Sequence, residues 1–343
     1  MADLTVRGQF VWHELWTPNP AGAHEFYSNV VGWSTQAWEQ DPSYSMFVGP
    51  KGPLGGALQK RAGTPQWLPY VGVTDVDAAA ATVTRLGGRT QTPPADLPNG
   101  GRHAVLVDPQ GAPFGIHASK ATPAPESAAA VGEFSWHELA TNGTPETAFA
   151  FYTAVFGWDE INRFDMGPMG TYLIFGRNGA QLGGMFDKAA AGKPGAAYWL
   201  GYVRVDDLDG TVERAKGGRG SVLTGPMDVP GGDRIAQVMD PHGAFFALHL
   251  LAADKGAVKP RAKPAAAPAP RAPAKAAKSP PAAKQAAKKT AGKAPKPAAK
   301  KPAAKKPAAK KASKTKPRAA AKKKSGGKPP KKRGKAGAKP KRR

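Results

Sequence analysis

The chain has 343 residues, with 50 Lys and Arg against 25 Asp and Glu, a formal net charge of +25 and no cysteine. Disulfides and thiolate metal sites are excluded, and no apolar run reaches the ~18 residues that a membrane helix needs. The N-terminus shows no charged stretch leading into an apolar core, so the expectation is a cytoplasmic protein without membrane insertion.

The elements read in order along the first third of the chain. Alternation over residues 9–16 predicts a strand. Ala23, Phe26, Tyr27 and Val30 recur at helical spacing, which predicts a helix over 20–31. Asn19 is its N-cap before Pro20, and Gly32 is its stop. Strands are expected at 34–39, 44–48 and 55–59, between Pro and Gly turns. The order then restarts: strand 67–73, helix 76–86 halted by Gly87-Gly88, strand 89–92, then strands 103–108 and 113–118. That is βαβββ twice. Residues 121–131, rich in Ala and Pro, read as a linker, and the same order runs again over 133–251.

The second run is a repeat of the first. Phe10-Val11-Trp12-His13-Glu14-Leu15 returns as Phe134-Ser135-Trp136-His137-Glu138-Leu139. Phe26-Tyr27 and Gly32-Trp33 return as Phe151-Tyr152 and Gly157-Trp158, and Leu54-Gly55-Gly56 returns as Leu182-Gly183-Gly184. Asp108-Pro109-Gln110-Gly111 and Asp240-Pro241-His242-Gly243 each precede an apolar strand that ends at His117 or His249. The offset drifts from 124 to 132 residues, as it does when loops change length and the core pattern stays. The fold class is therefore α+β, with two tandem domains of two βαβββ modules each. The first domain is expected over 1–120, the linker over 121–131, the second domain over 132–252 and a disordered tail over 253–343.

This order of motifs resembles the vicinal-oxygen-chelate superfamily of glyoxalases, extradiol dioxygenases and bleomycin-resistance proteins. It looks most like the two-domain glyoxalase-like proteins of actinobacteria. The resemblance implies a divalent metal held by imidazoles and carboxylates with an open position for substrate oxygens. The ligand positions that it implies fall on Trp12, Leu68 and Gly115 in copy one and on Trp136, Leu200 and Ala247 in copy two. None of these side chains binds a metal, so no metal ligand and no cofactor is expected; a divalent metal is the minority alternative.

Period-two alternation puts Glu14, Tyr70 and His117 on the face of Trp12, and Glu138, Tyr202 and His249 on the face of Trp136. Each cup then offers a Trp, a carboxylate, a phenol and an imidazole. Three readings stand. These groups bind a small, partly aromatic ligand; or a Glu–His pair, Glu14 with His117 or Glu138 with His249, supports acid–base chemistry in a lyase or dioxygenase-type enzyme with a non-standard site; or the Trp simply fills its own cup. His13 and His137 point the opposite way and read as domain-interface residues. His103 and His242 stand alone. Leu-Gly-Gly reads as a place of close backbone approach, since no phosphate-loop motif is present.

The charge is concentrated at the end of the chain. Residues 255–343 hold 33 of the 50 Lys and Arg and no acid, which leaves 17 basic and 25 acidic residues before them, a net of −8. Pro-Ala-Ala-Lys-Lys occurs three times in succession from Pro297. Such a segment cannot bury enough apolar area to offset its ordering entropy and is expected to be disordered. Its composition resembles the tails of linker histones and of some bacterial nucleoid proteins. The expected partner is nucleic acid, bound through residues 255–343 without sequence reading, because no aromatic residue is available to stack on bases. A nucleoid-associated protein whose body is only a head domain is the remaining alternative. In all of these the two domains are expected to pack on each other.

Overall fold

The computed structural model describes residues 7–98, 100–119, 128–193 and 195–255. Residues 256–343 of the basic tail and most of the expected linker lie outside the described residues; the first three residues of the expected tail are described, with Asp254 paired to Arg204 and Lys255 to Asp228.

Copy one runs β1 (Phe10–Thr17), α1 (Pro20–Val31), β2 (Ser34–Trp38), β3 (Asp41–Gly49), β4 (Gly52–Gln59), β5 (Gln66–Gly72), α2 (Val76–Arg85), β6 (Arg89–Asp96), β7 (Arg102–Val107) and β8 (Pro113–Ala118). Copy two repeats the series as β9 (Phe134–Thr141), α3 (Pro145–Phe156), β10 (Asp159–Asp165), β11 (Thr171–Arg177), β12 (Ala180–Asp187), β13 (Tyr198–Arg204), α4 (Leu208–Gly217), β14 (Ser221–Asp228), β15 (Arg234–Met239) and β16 (Phe245–Leu250).

The helix ends follow local chemistry. Asn19 accepts the Gly22 N–H at 3.1 Å, Pro20 opens α1, and Gly32 closes it in the left-handed region at φ 81°. Asp75 and Asp207 cap α2 and α4 in the same way. The strand expected at 89–92 extends to Asp96, through Pro93 and Pro94. β6 is the edge strand of its sheet, where the ladder donors that Pro93 and Pro94 lack are tolerated.

Each copy forms one eight-stranded sheet, in the order β2-β3-β4-β1-β5-β8-β7-β6 and its equivalent in copy two. The two βαβββ modules meet where β1 pairs antiparallel with β5; β1 also pairs parallel with β4, and β5 with β8. One face of each sheet carries the helices. The other is free of them.

The helix-side cores are not one per copy. One cluster joins Val71, Val83, Leu106, Phe114 and Ile116 of copy one to Tyr152, Phe156, Trp158, Phe175 and Trp199 of copy two. Its reciprocal joins Phe26, Tyr27, Trp33, Phe47 and Trp67 to Val205, Val212, Phe246 and Leu248. The repeated motifs make these joins. The Tyr27 hydroxyl donates to Asp240 at 3.2 Å, and the Tyr152 hydroxyl donates to Asp108 at 3.0 Å. Each aspartate also accepts two backbone N–H groups of its own turn, those of Gln110 and Ala112 or of His242 and Ala244. Trp33 and Trp158 donate across the same boundary, to Gly132 O and Gly8 O.

His13 and His137 also meet there, Nε2 to Nε2 at 2.7 Å, buried and stacked on Phe134 and Phe10 at 3.7 and 3.5 Å. Each Nδ1 faces a carbonyl oxygen, Leu54 for His13 and Leu182 for His137. Between the rings there is room for one hydrogen only. Burial holds His13 down to about 3 and lowers His137 as well.

Candidate functional site

The candidate site is the helix-free face of each sheet. Strand register places the residues. Trp12 lies opposite Tyr70, which lies beside Gly115, and Glu14 lies opposite Leu68. In copy two Trp136 faces Tyr202, Tyr202 lies beside Ala247, and Glu138 faces Leu200. Trp12, Glu14 and Tyr70 therefore share one face, as do Trp136, Glu138 and Tyr202.

Hydrogen bonds organise each face around its carboxylate. Glu14 is 9 % exposed. Its Oε2 accepts Trp16 Nε1–H at 2.6 Å and the Tyr70 hydroxyl at 3.4 Å, and its Oε1 accepts the Tyr44 hydroxyl at 3.3 Å. Trp12 Nε1–H donates to the Tyr44 oxygen at 3.2 Å. In copy two the Tyr172 hydroxyl donates to Glu138 at 3.0 Å, Trp136 donates to the Tyr172 oxygen at 3.2 Å, and Tyr202 also bonds Glu138. Ala140 stands where copy one has Trp16, so Glu138 lacks that donor. Burial pushes both carboxyls up, against the opposing pull of these donors and of Lys60 on Glu14 and Lys193 on Glu138. Burial and the neighbouring carboxylate likewise raise Tyr44, Tyr70, Tyr172 and Tyr202.

The glutamates thus lie beneath the aromatic surface rather than projecting from it. Trp12 and Tyr44 remain half-buried above Glu14, and Trp136 and Tyr172 above Glu138. Lys60 Nζ sits 4.6 Å from the Trp16 ring centroid. The Leu-Gly-Gly motif makes room for the tyrosines: a Cβ on Gly56 would strike the Tyr44 ring, and one on Gly184 the Tyr172 ring. Tyr44 and Tyr172 escape a sequence reading because nothing local links them to a glutamate some thirty residues away; the signal is the paired glycine on the neighbouring strand.

The imidazoles do not join these networks. His117 lies opposite His103 across β7 and β8, and burial lowers both, with His103 adding to the effect on His117. His103 is therefore not alone. His249 bonds Ser135 and Asp233, each at 3.0 Å, and meets the Tyr202 ring edge-on at 6.1 Å.

The donor set does not fit a divalent metal. Trp12, Leu68 and Gly115, like Trp136, Leu200 and Ala247, supply no ligand atom. The Tyr70 ring lies directly over Gly115, in the space a longer side chain there would need. Among the described residues no group of three or more His, Cys, Asp or Glu is arranged to hold a metal ion.

The family described as Glyoxalase/Bleomycin resistance protein/Dioxygenase superfamily matches residues 136–248, and the one described as Glyoxalase-like domain matches residues 11–117. Both copies are glyoxalase-like domains of this superfamily. The tandem glyoxalase-like body is 29% identical over 248 residues to "Putative glyoxylase CFP32" of Mycobacterium tuberculosis, covering 69% of this chain and 92% of that one. It is 29% identical over 261 residues to the anthracycline biosynthesis protein DnrV of Streptomyces peucetius, covering 70% and 92%. Among solved structures, the Mn(II)-bound glyoxalase of Novosphingobium aromaticivorans superposes with a TM-score of 0.54 at 18% identity, covering 71% of this chain and 82% of that one. The 2,2',3-trihydroxybiphenyl 1,2-dioxygenase of Sphingomonas wittichii gives 0.53 at 14%, covering 71% and 90%. At these identities the likeness to the solved structures is one of fold.

Among the described residues, no helix of the glyoxalase-like pair is long and apolar enough to cross a membrane.

Proposed function

We propose that the tandem glyoxalase-like body binds a small, flat aromatic ligand on each helix-free face without a metal, and that the basic tail tethers it to nucleic acid. The observation that carries this reading is the aromatic surface built over a buried glutamate, on the face where the superfamily's metal ligands are replaced by Trp12, Leu68 and Gly115. Trp12 and Tyr44 offer half-buried ring faces, and the Trp12 Nε1–H and Glu14 hold the Tyr44 hydroxyl in a fixed place, while Tyr70 bonds the other oxygen of Glu14. Rings with a polar edge suit such a surface, since stacking supplies area and one fixed hydroxyl supplies orientation. Two relatives named for anthracycline biosynthesis are in keeping with a fused aromatic ligand. Glu14, Tyr70, Glu138 and Tyr202 act in this reading as supports of the binding surface. His117 borders the first surface and His249 the second.

The test is a titration of the full chain with 1,4-dihydroxyanthraquinone in EDTA, followed by tryptophan fluorescence. The expected result is saturable quenching that is lost in Trp12→Ala combined with Trp136→Ala. Absence of saturable quenching, or quenching that appears only after Mn(II) is added, overturns the metal-free binding reading.

For the tail, 33 cations with no acidic residue among them will displace counterions from nucleic acid. Location on the nucleoid and the covalent pairing of the two domains in one chain belong to the same proposal: the body carries the ligand chemistry, and the tail sets where it is performed.

A further inference from the structure

Copy two carries a polar cluster that copy one lacks. Ser135 is the extra residue of a β-bulge on β9, between Phe134 opposite Val203 and Trp136 opposite Tyr202. The bulge re-aims that position, as bulges do beside functional sites. Copy one has the same bulge, and there Val11 packs with Trp12, Leu68 and Tyr70 on the helix-free face. In copy two the position holds a hydroxyl. Ser135 Oγ lies 3.0 Å from His249 Nδ1, and His249 Nε2 lies 3.0 Å from Asp233 Oδ2. Asp233 Oδ1 is fixed by the Ala252 N–H at 2.7 Å. In copy one the positions of Ser135 and Asp233 are Val11 and Gly101, although His117 matches His249. The fold therefore stands without the cluster.

The chemistry of the three groups assigns the hydrogens. A carboxylate only accepts, so Nε2 carries the hydrogen towards Asp233. The neutral ring is then bare at Nδ1 and accepts the Ser135 proton. Once it holds that proton, Nδ1–H points back to Oγ. The Tyr202 carbonyl, 3.3 Å from Oγ, is a second acceptor for the hydroxyl while the ring is charged. Both protonation states of His249 are thus accommodated without moving a heavy atom. That is the nucleophile, base and orienting-carboxylate arrangement of acyl transfer, with the two ring nitrogens exchanged.

We propose that Ser135, His249 and Asp233 form a reactive site in copy two, with Ser135 as a nucleophile toward small, uncharged carboxylic esters. Oγ attacks the ester carbonyl while its proton passes to His249 Nδ1. The ester C–O bond breaks, and that proton leaves with the alcohol. Water then adds to the acyl-serine, giving one proton to Nδ1; the Oγ–acyl bond breaks, the proton returns to Oγ, and the carboxylic acid departs. Asp233 is a positioning residue, and the neighbouring Tyr202 and Trp136 rings favour an aryl group. The site goes beyond ligand binding: it shares the Trp136 and Tyr202 rings with the proposed ligand surface, but neither Glu14 nor Glu138 takes part in the reaction.

An alkyl fluorophosphonate is the probe, since it takes the same attack, loses fluoride, and leaves lysines unmodified. On the full chain the expected result is a phosphonyl group on Ser135, located by peptide mass spectrometry, with no adduct in copy one. Labelling should slow about a hundredfold or more in His249→Gln. It should also slow in Asp233→Asn and recover in part in Asp233→Glu, at unchanged melting temperature. No adduct on Ser135 in the wild-type chain overturns the proposal. So does labelling at the wild-type rate in a folded His249→Gln or Asp233→Asn; if His249→Gln fails to fold, the Asp233 pair and the wild-type adduct decide.

Discussion

Glu14 and Glu138 are held in the folded chain with their carboxyls raised by burial, and the sign of the consequence is fixed. A group whose folded pKa lies above its unfolded value contributes stability that is complete below the unfolded value and is lost as pH rises through the folded one. Both glutamates therefore weaken the fold at neutral pH. Glu14→Gln, which keeps an acceptor for Trp16 and Tyr70, should gain stability in urea unfolding at about pH 8, and the gain should shrink toward zero below about pH 4. The buried imidazoles act in the other direction. With His13 and His137 lowered, their contribution is present above an ordinary imidazole value and lost as pH falls toward about 3 for His13. Wild-type protein should lose more stability between about pH 7 and about pH 4 than the His13→Gln, His137→Gln variant measured over the same interval.

At the scale of elements, much was legible in the chain. The 20–31 helix, its Asn19 cap and its Gly32 stop follow from spacing and cap chemistry, and the structure has them at the same residues. The shared face of Trp12, Glu14 and Tyr70 follows from period-two alternation and from a register that the repeat itself supports. What lies outside local pattern was not legible. Phe-Tyr and Asp-Pro-x-Gly read as signatures of a fold, whereas Tyr27 with Asp240 and Tyr152 with Asp108 are hydrogen bonds between copies, spanning 213 and 44 residues. Ser135, His249 and Asp233 come together only through a bulge and a hairpin turn, so no spacing marks them. A buried hydroxyl donating to a carboxylate carries a measurable share of stability. Tyr152→Phe should cost about 1–3 kcal/mol, read as a lowered midpoint of thermal or urea unfolding. Tyr27→Phe should cost a similar amount, since its hydroxyl serves Asp240 in the same way.

For the molecule as a whole, each helix-side core draws about half its residues from each copy, so neither copy closes a core alone. Residues 1–120 expressed separately should aggregate or self-associate, whereas the intact chain should unfold its body in one cooperative transition by circular dichroism. Charge divides the chain differently. The acidic residues precede the tail, so duplex binding should belong to residues 255–343. If ~10 cations engage phosphates, affinity should fall with a log–log salt slope of about −9. Deleting those residues should abolish a gel shift, and an unaltered shift would refute the tail assignment.

The metal-free character of the two aromatic surfaces is tested most directly by equilibrium dialysis of the full chain against Mn(II), Fe(II), Zn(II) and Ni(II), with bound metal counted by mass spectrometry. The expected result is no stoichiometric metal, and no difference between wild type and Glu14→Gln, Glu138→Gln. One or two equivalents per chain, lost in that double variant, would contradict it.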